Sequence, residues 1–208
     1  MARKMGLHAG SAMDLRTGFD FTCRNDRERV KKRIKEEKPR LLVGSPECTM
    51  FSTLQQLSPW TIEKAKKLNE AKAHMKFVCE LYQDQIEAGG LILHEHPLSA
   101  ASWKLEVVSR ILKLPGVKTV VGDQCQFGLT TYDQQGKKTP ARKRTRFMSN
   151  CPEILQELGK MCPGKHVHQP LIQGRARAAS IYPDGLCRAI CRGLIKNMKM
   201  EKTRSATC

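Results

Sequence analysis

Two residues stand where the chain can do chemistry, Cys48 and Glu95. Cys48 follows the apolar run Leu41-Leu42-Val43 and the turn Gly44-Ser45-Pro46-Glu47, and it leads into Thr49-Met50-Phe51-Ser52. A thiol in a loop that leaves a strand is a candidate nucleophile, because the thiolate is the reactive form of cysteine. Glu95 lies in His94-Glu95-His96-Pro97, after a second apolar run, Leu91-Ile92-Leu93. A carboxyl group at a strand end can hydrogen-bond a ligand or offset charge that develops on it. Cys151, Cys162, His166 and His168 add four donors of the zinc-binding type, although the gap from Cys151 to Cys162 lacks the short spacing of a zinc knuckle. His94 and His96 are expected on opposite faces of a continuing strand and so to give no chelate. The basic run Arg142-Lys143-Arg144-Thr145-Arg146 offers contacts to phosphate.

Apolar spacing and breakers set the helices and strands around these residues. Asn25 or Asp26 caps a helix through Val30 and Ile34, which Pro39 stops. Leu41-Leu42-Val43, without polar alternation, reads as a strand buried on both faces. Ser58-Pro59 opens a long helix with Ala65, Leu68, Ala71, Met75, Val78, Tyr82 and Ile86 at helical spacing, ending at Gly89-Gly90. Leu91-Ile92-Leu93 is the second strand, and Glu95 is expected just past its end. Ser99 caps a helix with Trp103, Val107, Ile111 and Leu112 inward, and Val117 to Val121 is the next strand. Gly136 marks a hairpin tip, Phe147-Met148 a returning strand, Pro152 a short helix to Leu158, and Pro183 a last helix with Leu186, Ile190 and Leu194 on one face. Strand and helix alternating with short loops predict an α/β fold, a mainly parallel sheet with helices on both faces. Ligands of such sheets bind beyond the strands' carboxyl ends, where Cys48 and Glu95 fall. One domain is expected over residues 1–197, with a frayed basic tail over 198–208.

Composition bounds the partners. Thirty-seven Lys and Arg against 20 Asp and Glu give 208 residues a net charge of +17, which attracts polyanions, nucleic acid foremost. With 5% aromatic residues, base stacking is a poor main binding mode and phosphate contacts dominate. Nine scattered cysteines predict reduced thiols and an intracellular protein. No segment approaches the roughly 18 apolar residues of a spanning helix, and no signal-peptide core opens the chain, so no membrane role is expected. Basic runs of this kind also serve as nuclear targeting signals.

The stretch Leu41 to Ser52 resembles the catalytic loop of the cytosine-5 DNA methyltransferases, an apolar strand running into a Gly, Pro and Cys turn followed by Phe-Ser. Leu93-His94-Glu95-His96 is similar to that family's second catalytic strand, and Arg177 to Ile190, with Ile181-Tyr182-Pro183-Asp184-Gly185-Leu186-Cys187, to its closing motif. The resemblance implies a Rossmann-like methyltransferase fold, S-adenosylmethionine as cofactor and DNA as partner. Cys48 would add to carbon 6 of a flipped cytosine, and Glu95 would hydrogen-bond ring N3. Asp14, Asp20 and Pro46 would meet the cofactor, and Arg142, Lys143, Arg144, Thr145 and Arg146 would stand in the family's basic active-site strand. Two departures accompany it: Glu47 separates Pro46 from Cys48, and the family's first strand and Gly-rich cofactor loop have no counterpart before Met5. The implied protein is a methyltransferase-like enzyme, incomplete or inactive, that holds its cofactor weakly. The alternative is a non-catalytic nucleic-acid-binding remnant of the same fold, similar to methylase-like modules of retroelement polyproteins.

Overall fold

The computed structural model describes residues 1–57, 59–171, 175 and 179–206. The chain forms two compact units, residues 9–117 and residues 1–8 with 118–208. Both mix helix and strand, so the protein is α/β.

In the unit of residues 9–117, helix α1 spans Arg24–Glu37. Cys23 occupies its N-cap without a side-chain bond, so neither Asn25 nor Asp26 caps it as expected. Asp26 lies inside the first turn, where a negative charge suits the helix dipole, and it accepts the Asp20 backbone N–H at 2.9 Å. Lys38 closes the helix in the left-handed region (φ 43°), and Pro39 prevents continuation. Strand β1 (Leu41–Gly44) pairs in parallel with β2 (Leu91–Pro97), Leu41 opposite Leu91 and Gly44 opposite His94. Of this pair β2 is the deeply buried strand; Val43 of β1 is 44% exposed, which corrects the expectation of two buried faces.

Between them runs α2, Ile62–Glu87, capped by the Thr61 side chain on the Lys64 N–H. The start expected at Ser58-Pro59 is three residues early at Pro59, and Ser58 lies outside the described residues. Met75, Val78, Cys79 and Tyr82 are buried, and Phe77 and Leu81 join Val30 of α1 in a core that Met13, Phe19, Phe21, Ile34 and Leu42 complete. Gln85 donates to the Pro39 carbonyl at 2.7 Å, and the Leu91 N–H to Arg40 at 2.9 Å, so the end of α2 and the start of both strands are tied together. Helix α3 (Glu106–Leu112) follows a 3-10 turn, Ala101–Lys104, whose N-cap is Ala100. Ser99 caps neither, and Val108, rather than Val107, is buried beside Ile111.

The other unit contains β3 (Lys118–Asp123), β4 (Thr130–Tyr132), β5 (Lys138–Pro140), β6 (Arg144–Ser149), α4 (Pro152–Leu158) and α5 (Asp184–Ala206). β3 and β6 are antiparallel, from Lys118 opposite Ser149 to Asp123 opposite Arg144. β4 and β5 form the hairpin with Gly136 (φ 75°) at its tip. A mainly parallel sheet is therefore not what this half builds. Parallel strands need a long crossover, usually helical, and the chain from β3 to β6 supplies only a hairpin and a 3-10 turn. Gly193 of α5 lies where a Cβ would press on the Ile154 backbone of α4, so the two helices approach closely. Glu157 holds Arg192 at 2.9 Å and Lys196 at 2.6 Å, and Asn197 bonds Glu153 at 3.2 Å. Anchored in this way, α5 runs on to Ala206, through most of the tail expected to fray.

Candidate functional site

Parallel pairing of β1 with β2 sends the Cys48 loop and the end of β2 out of the same end of the two strands. Cys48 is the N-cap of a 3-10 turn, Thr49–Phe51. Glu47 braces that turn, its carboxylate accepting the Thr49 N–H at 2.8 Å. Phe51 is buried and meets the His96 ring edge-on, with centroids 6.1 Å apart. Glu95 is 5% exposed and lies inside β2, not past its end, which corrects the expected placement.

On β2, His94 and His96 share a face and stack, with centroids 5.4 Å apart and planes within 10°. The expectation of opposite faces is wrong, because residues two apart on a strand point the same way. Trp103 covers both rings edge-on, and the Tyr82 hydroxyl lies 3.0 Å from His94 Nδ1. Burial, reinforced by His96, pushes the His94 imidazole down to about 3, so it stays neutral at physiological pH.

The carboxylates assigned to the cofactor are engaged in their own turns. Asp14 caps the 3-10 turn Leu15–Thr17, accepting the N–H groups of Arg16 at 2.8 Å and Thr17 at 3.0 Å. Asp20 accepts the Thr22 hydroxyl and N–H at 2.7 and 2.9 Å, and these bonds hold it below the usual carboxylate range. Pro46 is buried beside the Cys48 loop.

The basic strand is mostly at structural work. Arg144 pairs with Asp123 through Nε at 3.0 Å and Nη2 at 3.2 Å. Burial opposes ionisation of Asp123, but the Arg144 and Cys162 N–H bonds outweigh it and hold the carboxyl low. Thr145 is fully buried and bonds Gln124 at 3.0 Å. Arg146 is partly buried, and Lys143 reaches the Ala179 carbonyl at 3.5 Å. Arg142 is exposed. Arg177, which opens the closing motif, lies outside the described residues.

The Cys–His group of this unit is assembled differently from the expected set. Cys151 is fully buried, with its thiol 3.4 Å from the Glu153 carboxylate, and burial pushes it up to about 11. It is not a member. Cys125 takes its place: the donor atoms of Cys125, Cys162, His166 and His168 all lie within 4.8 Å of one another. Cys125 sits in the 3-10 turn Gln124–Phe127 directly after β3. Its thiol is raised by burial and by nearby Cys162, and His168 is lowered by burial and by His166 and Arg142. The signal in the sequence was a cysteine just past a strand, far from its partners along the chain.

Among the described residues no helix is long and apolar enough to cross a membrane. No family model, curated protein or solved structure matches the chain, so its function is argued from these side chains and their geometry.

Proposed function

We propose that this protein binds nucleic acid, DNA foremost, through phosphate contacts on a cytosine-5 methyltransferase-like α/β framework, without transferring methyl groups itself. The observation that carries the binding is the excess of Lys and Arg over Asp and Glu, and the local engagement of Asp14 and Asp20 speaks against the cofactor. Carboxylates that would meet a cofactor's ribose and adenine instead cap their own turns. The net charge of +17 supplies the attraction for a polyanion. The test is anisotropy of labelled duplex DNA over a range of salt, beside transfer of label from S-adenosylmethionine to the same DNA. Steeply salt-dependent binding without transfer supports the reading, and binding indifferent to salt overturns it.

A second reading, the active methyltransferase, is favoured by the parallel register that brings the Cys48 loop and Glu95 to neighbouring strands. Cys48 would then supply the nucleophile, and Glu95 the hydrogen bond to the base. Methyl transfer abolished by Cys48→Ala would establish it.

A further inference from the structure

We propose that Cys125, Cys162, His166 and His168 form a closed, structural zinc site. Cys162 Sγ lies 3.5 Å from Nε2 of both His166 and His168, the two Nε2 atoms are 3.0 Å apart, and His168 Nε2 is 3.4 Å from Cys125 Sγ. Zinc bound tetrahedrally at ordinary Zn–S and Zn–N lengths separates its ligands by about 3.3–3.8 Å along each edge. Four of the six donor separations, 3.0–3.5 Å, thus stand near those edges, and all six lie within 4.8 Å.

Hydrogen bonding among the four groups accounts for this convergence poorly. Each thiol carries one proton and each neutral imidazole one, yet Cys162 Sγ and His168 Nε2 are each shared among several partners at once. One cation at the common centre accounts for every short distance together. Two thiolates with two imidazoles suit zinc, whereas calcium and magnesium prefer oxygen ligands. Four protein ligands leave no open position, as in structural rather than catalytic sites.

The surroundings are built to orient the ligands. The Gly164 N–H donates to Cys162 Sγ at 3.4 Å, and Gly164 is in the left-handed conformation that brings the N–H there (φ 77°). The buried Asp123 carboxylate fixes the Cys162 backbone N–H at 3.0 Å while held itself by Arg144. Such second contacts commonly set ligand direction in metal sites. The consequence is architectural: residues 161–171 contain no helix or strand, and the ion would staple them to the end of β3 through Cys125.

The test uses the full chain purified without chelator. Elemental analysis is expected to give one zinc per chain, and cobalt replacement the intense absorption of a tetrahedral site with thiolate-to-metal charge transfer. Cys125→Ser with His168→Ala should lose the metal, while Cys151→Ser keeps it in full. Should the double variant fail to fold, His168→Cys serves instead, retaining zinc with a cobalt spectrum shifted toward three thiolates. Wild-type protein that, after refolding with excess zinc or cobalt, holds neither metal overturns the proposal. So does zinc retained by the folded double variant or lost from Cys151→Ser.

Discussion

Gly44 of β1 faces His94 of β2 across the parallel pair, and the Tyr82 ring fills the space where a Gly44 side chain would stand. The same Tyr82 hydroxyl bonds His94 Nδ1, so one aromatic residue of α2 joins both strands at the base of the Cys48 loop. Gly44→Ala should therefore push Tyr82, which is 1% exposed, against a packed core. Overpacking of this kind costs about 1–3 kcal/mol. Urea denaturation of Gly44→Ala, Tyr82→Phe and the double variant checks it. Part of the loss should be recovered in the double variant, since the hydroxyl is the nearest obstacle, and strict additivity would count against the contact.

His94 should make the protein sensitive to mild acid. Its imidazole is lowered from 6.5 to about 3 in the folded protein, so the folded state resists the proton that the unfolded chain accepts. Stability from this group is complete above pH 6.5 and is lost progressively as the pH falls toward 3. By pH 5 the loss reaches about 2 kcal/mol. Denaturation at pH 7.5 and pH 5 compared with His94→Gln isolates it, since carboxylates titrate alike in both proteins. An equal loss in the variant would show that another group is responsible.

Within the basic strand, Arg142 and Arg144 should behave differently toward DNA. Arg144 already holds the buried Asp123, whereas Arg142 is exposed. Removing a phosphate contact lowers the slope of log binding constant against log salt by roughly 0.9. Arg142→Ala should show that change and keep the fold, and Arg144→Ala should show mainly reduced thermal stability. The opposite pattern would mean that Arg144 leaves Asp123 to bind phosphate.

S-adenosylmethionine should bind weakly or not at all. Asp14 spends its carboxylate on the turn Leu15–Thr17, so Asp14→Ala should lower the melting temperature by a few degrees. It should leave the calorimetric titration with the cofactor unchanged. Micromolar binding that Asp14→Ala weakens would show instead that the capping carboxylate also holds the ligand.

The local layer of the structure is legible in the amino-acid order. The apolar runs at Leu41 and Leu91 are strands, the spaced Met75, Val78 and Tyr82 mark a helix, and Pro152 and Gly136 open a helix and a hairpin. These follow from side-chain period and backbone restriction, which act within a few residues. Strand direction was legible for β1 and β2, which the α2 crossover makes parallel, and not for β3 and β6, because period two is the same in parallel and antiparallel pairs; the hairpin and 3-10 turn between them decided it. Nor was the tail, whose helix is held by Glu157 of α4 far back in the chain. The Cys–His cluster divides along the same line. Cys162, His166 and His168 are neighbours in sequence and were visible as a partial ligand set. Cys125 was not, since only the antiparallel return of β6 beside β3 and the Asp123 bond to Cys162 carry it to them. Spacing reveals ligands that one loop supplies, and tertiary structure alone selects the one that arrives from another element.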